Sequence, residues 1–542
     1  MSESALLLIS ILLPLFGAVA VATVLSRTDV RQIALGIAIV TMLCSLLVVN
    51  RFDPQSEAVA AGEFAALQSR WLPESTGVDL QFSLAIDGLG IWLYGLSTIL
   101  MLTAILVSWE AITERRPLFY AMLLLLESGC LGVFAARDLL LFYVFFEFTL
   151  IPLFFLIGIW GSEDRRYAAT KFFVFTLAGS LVTFIGLLAI VAHAASVSNG
   201  AITFSIPHLT NVLQANPMPV STQKLIFIAL FAGFAIKVPL FPLHTWLPLA
   251  HVQAPTAGSV FLAGILLKIG TYGFLRFSIP MLPDASVALA PVLLWLSVIG
   301  IIYGAFVALA QTDMKRLIAY SSVSHLGFVV LGLFALNAIA IQGATLQMIN
   351  HGISTGALFA IIGMLYERYH TRSIDSYSGL SKKMPIMAFF MLLFTFSSIG
   401  LPGLNGFAGE IMILLGTFQR AFGSQAGLIG GQRIVAVLAV SGVVLGAWYM
   451  LWLVKRVFFG TFREPCQKAA HESRDLCFRE IAALVPLAIL VFWIGLYPKY
   501  FLDRMAPTLN ASTSQAVAKS TKRIDDNLAS SIVHTPPRTV QP

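Results

Sequence analysis

The sequence predicts an all-α polytopic membrane protein of about 14 transmembrane helices, with two inverted five-helix repeats and breaks in helices 7 and 12. Three observations predict it. First, 58% of the 542 residues are hydrophobic and only 11% are charged, where soluble domains carry about 25% charged residues. Second, runs of about 20 apolar residues, enough to cross a bilayer, recur from end to end. Third, two of these runs, five apart, are interrupted by Gly and Pro, a placement that marks paired repeats around a translocation site.

In order, the spans are 5–25, 30–49, 86–109, 117–135, 138–160, 168–195, 223–248, 255–277, 287–310, 316–336, 340–367, 385–418, 432–458 and 479–498. The first follows Glu3 and lacks a basic leader, so it reads as a retained span rather than a cleaved signal. Spans 1 to 3, with a mixed polar external excursion over 50–85, form an N-terminal unit over 1–116. Spans 4 to 8 (117–277) and 9 to 13 (287–458) are the two repeats, and an odd number of helices in each inverts one relative to the other. Direct similarity between the halves is weak, so the repeat rests on where the breaks fall. After the last span, 479–498, the tail over 507–542 is rich in Ser, Thr and charge and reads as a mobile extension.

Charge placement gives an orientation. Of the 34 Lys and Arg, 19 belong with loops after odd-numbered spans, 7 with loops after even-numbered spans and 6 with the C-terminal region. By the positive-inside rule the odd loops are cytoplasmic and both termini lie outside. The net charge of +7 is thus a topological signal, and no nucleic-acid partner is expected. The remaining two basic residues, Lys237 and Lys268, sit inside apolar spans.

Several cofactor classes are excluded by pattern. Cys44, Cys130, Cys466 and Cys477 have neither C-x-x-C nor ferredoxin-like spacing. No G-x-G-x-x-G or Walker loop occurs in a strand–helix context. The expectation is a chain that binds no flavin, nicotinamide, iron–sulfur cluster, ATP or metal.

The candidate site residues are the charges and histidines buried by composition. A lysine at the bilayer centre costs roughly 2.5–3.5 kcal/mol on insertion scales. Lys237 precedes Pro239 and Pro242; Glu410 follows Pro402, Gly403, Gly406 and Gly409. Helix breaks survive at membrane depth only where protein or water satisfies the freed backbone groups. Glu147, alone in span 5, is the expected partner of Lys237. His325 and His351, in spans 10 and 11, share the second half with Glu410 and suit a proton relay with Lys268. The alternatives are lysines snorkelling to headgroups and histidines that only pack. Glu127, in span 4, fits packing as well as transport. His244 and His251 flank a proline-rich break without metal-ligand spacing.

The runs LLLFYVFFEFTLIPLFFLIGIWG, AIKVPLFPLHTWLPLAHVQAPTAGSV, KRLIAYSSVSHLGFV and LPGLNGFAGE resemble the antiporter-like proton-pumping subunits of respiratory complex I, and among them the M-type, counterpart of mitochondrially encoded subunit 4. The resemblance covers spans 3 to 13. It implies that Glu147, Lys237, Lys268 and Glu410 match the family's fifth-, seventh-, eighth- and twelfth-helix ionisable residues. Glutamate at 410, where the L- and N-type subunits and the related antiporter subunit usually carry lysine, points to the M-type, as does the absence of a long lateral helix after span 14.

The implied function is proton translocation in an NADH:quinone oxidoreductase, coupled to electron transfer in partner subunits through Glu147, Lys237, Lys268, His325, His351 and Glu410. The implied partners are L- and N-type membrane neighbours and the lipid bilayer, with quinone only indirectly. The charge bias fits a bacterial plasma membrane. The rival readings are a subunit of a multisubunit cation/proton antiporter, a ferredoxin-linked quinone-reducing complex, or a structural membrane subunit with vestigial sites.

Overall fold

A computed structural model describes residues 1–23, 30–60, 62–423, 431–465 and 474–533; Cys466 and the end of the tail lie outside them. Among the described residues thirteen helical stretches are long and apolar enough to cross a membrane, and a fourteenth is split into two shorter helices, in the order expected. They are α1 (Glu3–Thr23), α2 (Val30–Arg51), α3 (Ile91–Ala111), α4 (Arg116–Ala135), and a fifth crossing, Leu139–Trp160, kinked at Thr149 into α5 (Leu139–Phe148) and α6 (Leu150–Trp160). Next come α7 (Arg165–Val197), then α8 (Val220–Lys237) with its continuation α9 (Trp246–Gln253), and α10 (Thr256–Met281). The second half holds α11 (Pro283–Leu309), α12 (Met314–Phe334), α13 (Ala338–Tyr369), a twelfth crossing split into α14 (Pro385–Ser398) and α15 (Asn405–Phe422), and α16 (Gln432–Phe458). Crossing 14 is α17 (Phe478–Leu496), and α18 (Lys499–Val533) follows it.

Local chemistry sets the helix starts. Asp138, Asp313 and Asn337 each accept bonds from two backbone N–H groups of the first turn they precede, at 2.7–3.2 Å; this is the strongest form of N-cap. The excursion over 50–85 forms a hairpin: Phe64–Arg70 pairs antiparallel with Gln81–Ile86. Val78–Asp79 adds a short parallel pairing with Ile202–Thr203.

The helices are apolar on most sides, so burial rather than amphipathicity separates inner from outer ones. α10 and α13 are buried throughout their apolar windows and α12 nearly so, whereas α2, α16 and α17 bury only about a third of theirs. Val444, Trp448, Ile489 and Leu496 point outward, as expected where the surrounding solvent is lipid. The inner helices form an axis carrying buried Lys268, Arg276, Lys315, His325 and His351.

Two sequence expectations need correction. The polar tail is not a free extension: α18 buries Phe501, Met505, Leu509 and Ala516, Lys519 Nζ bonds Asp284 Oδ2 at 2.7 Å, and Thr508 Oγ1 accepts from Gly88 N at 3.0 Å. A 35-residue helix therefore does follow crossing 14. Nor are Lys237 and Lys268 the only buried cations, because Lys315 is 6% exposed and Arg137 and Arg276, counted with loops by spacing, are buried too.

Candidate functional site: a buried ionisable axis

The break in crossing 7 places Lys237. Pro239 and Pro242 end α8 at Lys237, so the ammonium lies at a helix C-terminus, where the backbone dipole favours a cation. The freed carbonyl of Ile236 accepts from Trp246 Nε1 at 2.9 Å. Lys237 is 5% exposed. Its Nζ sits 3.8 Å from the centroid of the Phe146 ring and donates to the Phe146 carbonyl at 3.4 Å. Glu147, the neighbouring residue, makes no ion pair with Lys237 within 4 Å, and its Oε1 is buried without a hydrogen-bond partner. The two charges are neighbours that do not touch.

Lys268 lies mid-axis, fully buried on α10. Two π-helical turns, Leu262–Leu266 and Phe274–Ser278, interrupt this helix, and such turns leave carbonyls turned from their usual partners. Lys268 Nζ bonds the carbonyl of Ala263 in the first of them, and meets His351 Nδ1 at 2.7 Å. The His351 and His325 rings follow at 5.8 Å between centroids. His325 Nδ1 is 3.3 Å from Glu410 Oε1. Lys268, His351, His325 and Glu410 thus line up from α10 through α13 and α12 to α15, with a gap between the two imidazoles where His351 Nε2 has no hydrogen-bond partner.

The break in crossing 12 places Glu410. Gly400 and Gly403 adopt φ of +72° and +91°, conformations other residues enter at a cost. A Cβ at Gly400 would also stand 2.7 Å from Glu410 Oε2. The turn leaves Glu410 in the second turn of α15.

Sequence reasoning missed the neutral polar residues that hold this series. Gln347 Nε2 donates to Glu410 Oε1 at 3.1 Å, and Asn350 Nδ2 donates to the Asn405 carbonyl at 2.7 Å. Ser398 Oγ and Tyr449 OH each stand 3.3 Å from His325 Nε2. Gln347, Asn350, His351 and Ser354 follow helical i, i+3, i+4, i+7 spacing on α13; that stripe was the available signal. His244 and His251 pack on rings: His244 against Tyr303, His251 on Phe359 at 4.4 Å.

A separate ionic cluster was also missed. Asp87, in the turn before α3, meets Arg276 at 2.6 and 2.8 Å and Arg137 at 2.9 Å. Burial opposes charge on Asp87, but Arg276 and Arg137 outweigh it and hold the carboxyl well below its usual range. This cluster ties the hairpin, α10 and the turn before α5 together.

Residues 136–431 match the family model of the NADH:quinone oxidoreductase/Mrp antiporter membrane domain. This chain belongs to that family. NADH-quinone oxidoreductase subunit M of Rhodobacter capsulatus is 42% identical over 93% of this chain and 95% of its own length. NADH-ubiquinone oxidoreductase chain 4 of Marchantia polymorpha is 41% identical over 91% of this chain and 94% of its own. Among solved structures, a chain of respiratory complex I from Thermus thermophilus with bound NADH is similar at a TM-score of 0.81 and 30% identity, covering 94% of this chain and 99% of that one. The family match covers all six predicted site residues, from Glu147 to Glu410.

Proposed function

We propose that this chain is a proton-translocating membrane subunit of an NADH:quinone oxidoreductase, and that Glu147, Lys237, Lys268, His325, His351 and Glu410 carry the protons. The observation that carries this reading is the buried series Lys268–His351–His325–Glu410, in hydrogen-bonding distance at its two ends and joined in the middle by neighbouring imidazole rings 5.8 Å apart. Each member exchanges protons, and burying four such groups side by side is costly unless they work together. The breaks after Lys237 and before Glu410, five crossings apart, support the reading of 117–277 and 287–458 as inverted repeats.

The chain's part is to hold and move protons; electron transfer belongs to partner subunits. Opening and closing the gap between Glu147 and Lys237 changes how strongly the lysine holds its proton, since a near carboxylate favours the charged form and desolvation disfavours it. Lys268 passes a proton to His351, His351 to His325, and His325 to Glu410, which releases it outside. L- and N-type subunits flank the chain, the membrane is a bacterial plasma membrane, and both termini face outward.

The test is quinone-dependent, NADH-driven acidification of inverted membrane vesicles, wild type against Lys268→Ala, with assembly checked by co-purification. The expected loss is on the order of tenfold or more, because a positioned proton-transfer group contributes roughly 10²–10⁴-fold. Unchanged acidification per NADH oxidised in an assembled variant overturns the reading. The family model also describes Mrp antiporters; wild-type vesicles that exchange cations for protons but never acidify with NADH would favour that second reading.

A further inference from the structure

Glu127 lies outside the series just described. It sits mid-way along α4, fully buried, and both carboxyl oxygens lack a hydrogen-bond partner. Among the described residues no cation pairs with it. α1, α2 and α3, which pack against α4, carry buried hydroxyls in an otherwise apolar region. The Ser10 hydroxyl and the Tyr94 hydroxyl bond each other, and Tyr94 lies beside Ser45 and within electrostatic reach of Glu127. Thr41 and Ser45, one turn apart on α2, both have buried hydroxyls without partners. Three residues further along α4, Cys130 lies within electrostatic reach of both Glu127 and Lys237.

A fully buried carboxyl without a cation or donors is far more stable neutral than charged. Hydroxyls that lack protein partners supply the two to four contacts an internal water requires. We propose that Glu127 is a neutral carboxylic acid holding a proton beside the Glu147–Lys237 centre, in a pocket of Ser10, Thr41, Ser45 and Tyr94 that takes water. When Lys237 has lost its proton, the O–H bond of Glu127 breaks and an N–H bond forms on Lys237, with water carrying the proton between them. The products are a carboxylate and an ammonium, so charge is conserved and no oxidant is needed. Glu127 thereby refills Lys237. The transfer step rests on the proton-translocation reading; the protonation of Glu127 does not.

The experiment compares the assembled wild-type complex with Glu127→Gln and Glu127→Asp by infrared difference spectroscopy between oxidised and NADH-reduced states, in light and heavy water. The expected result is a deuterium-sensitive protonated-carboxyl band that disappears in Glu127→Gln and shifts in Glu127→Asp. Vesicle acidification per NADH falls several-fold with Gln and recovers with Asp. If Gln prevents assembly, the Asp variant decides alone: a shifted band supports the assignment, and an unmoved band overturns it. A Gln variant that assembles, keeps every protonated-carboxyl band and pumps as wild type also overturns it. Loss of the band with unchanged pumping retains the neutral acid and overturns the transfer, whereas failure of the Lys268→Ala test would leave the band in place.

Discussion

At the break in crossing 12 an acid and its base partner touch; at the break in crossing 7 they do not. Glu410 is 3.3 Å from His325 and accepts from Gln347, so its position is held from two helices. Lys237 instead rests on the Phe146 ring and carbonyl, while Glu147 keeps a buried oxygen unpartnered beside it. Both centres stand where a transmembrane helix is interrupted, and Lys237 lies at the helix end whose dipole suits it, whereas Glu410 lies one turn inside its helix. The difference teaches that a helix break supplies a site for a charge but does not decide whether that charge is paired. The second centre is wired into the axis. The first holds its charges apart.

The comparison breaks most completely if the two acids prove equivalent. Glu410→Gln keeps the contact with Gln347 but removes the titrating group next to His325. The loss of acidification per NADH is expected to be on the order of tenfold or more, as for removal of a positioned acid or base. Glu147→Gln removes a charge that is not in contact with its lysine, so it should lower pumping less and leave residual proton movement through the wired half. Equal, complete losses in both variants would mean that the gap between Glu147 and Lys237 has no functional meaning.

A smaller effect is expected at the turn that places Glu410. Gly400→Ala puts a Cβ into a left-handed conformation that costs roughly 1–2 kcal/mol, and that Cβ would stand 2.7 Å from Glu410 Oε2. The carboxylate must move, and the His325 contact lengthens. Pumping per NADH should fall a few-fold, with a lower thermal midpoint for the purified complex. A wild-type midpoint together with wild-type pumping would show that the turn tolerates the side chain and that Glu410 is not held by it.

Six site residues were legible in the sequence for one physical reason: charge and imidazole are so unfavourable in hydrocarbon that each stands out in an apolar run. Their partners were not. Gln347, Asn350, Ser398 and Tyr449 are ordinary constituents of membrane helices, and only tertiary structure shows that they converge on His325, Glu410 and the turn before it. The helix order and both breaks were legible because length and proline placement are local properties. The π-helical turns around Lys268 were not, since they depend on packing. Arg276 was misplaced because it lies near a span end, and nothing local announces that Asp87, 189 residues away, meets it. The tail was misread by composition alone: Leu509, Thr513, Ala516 and Ser520 are buried at i, i+4, i+7 and i+11, a helical stripe that overall polarity concealed.

The smallest expected effect tests the first centre by its aromatic contact. Phe146 faces Lys237 with its ring at 3.8 Å and is itself fully buried. A cation–π contact contributes about 0.5–1 kcal/mol when exposed and about 2 or more when desolvated. Phe146→Leu keeps the backbone carbonyl that also accepts from Lys237, nearly preserves apolar volume and removes only the π face. If the ring holds the ammonium away from Glu147, its loss lets the two charges close, and an ion pair forms where the native chain has a gap. Lys237 then holds its proton more tightly. Pumping should fall two- to five-fold, roughly the factor for about 0.5–1 kcal/mol, and Glu147→Gln added to Phe146→Leu should restore part of it. If the double variant is no better than the product of the single ones, the ring is only packing, and the separation at the first centre has another cause.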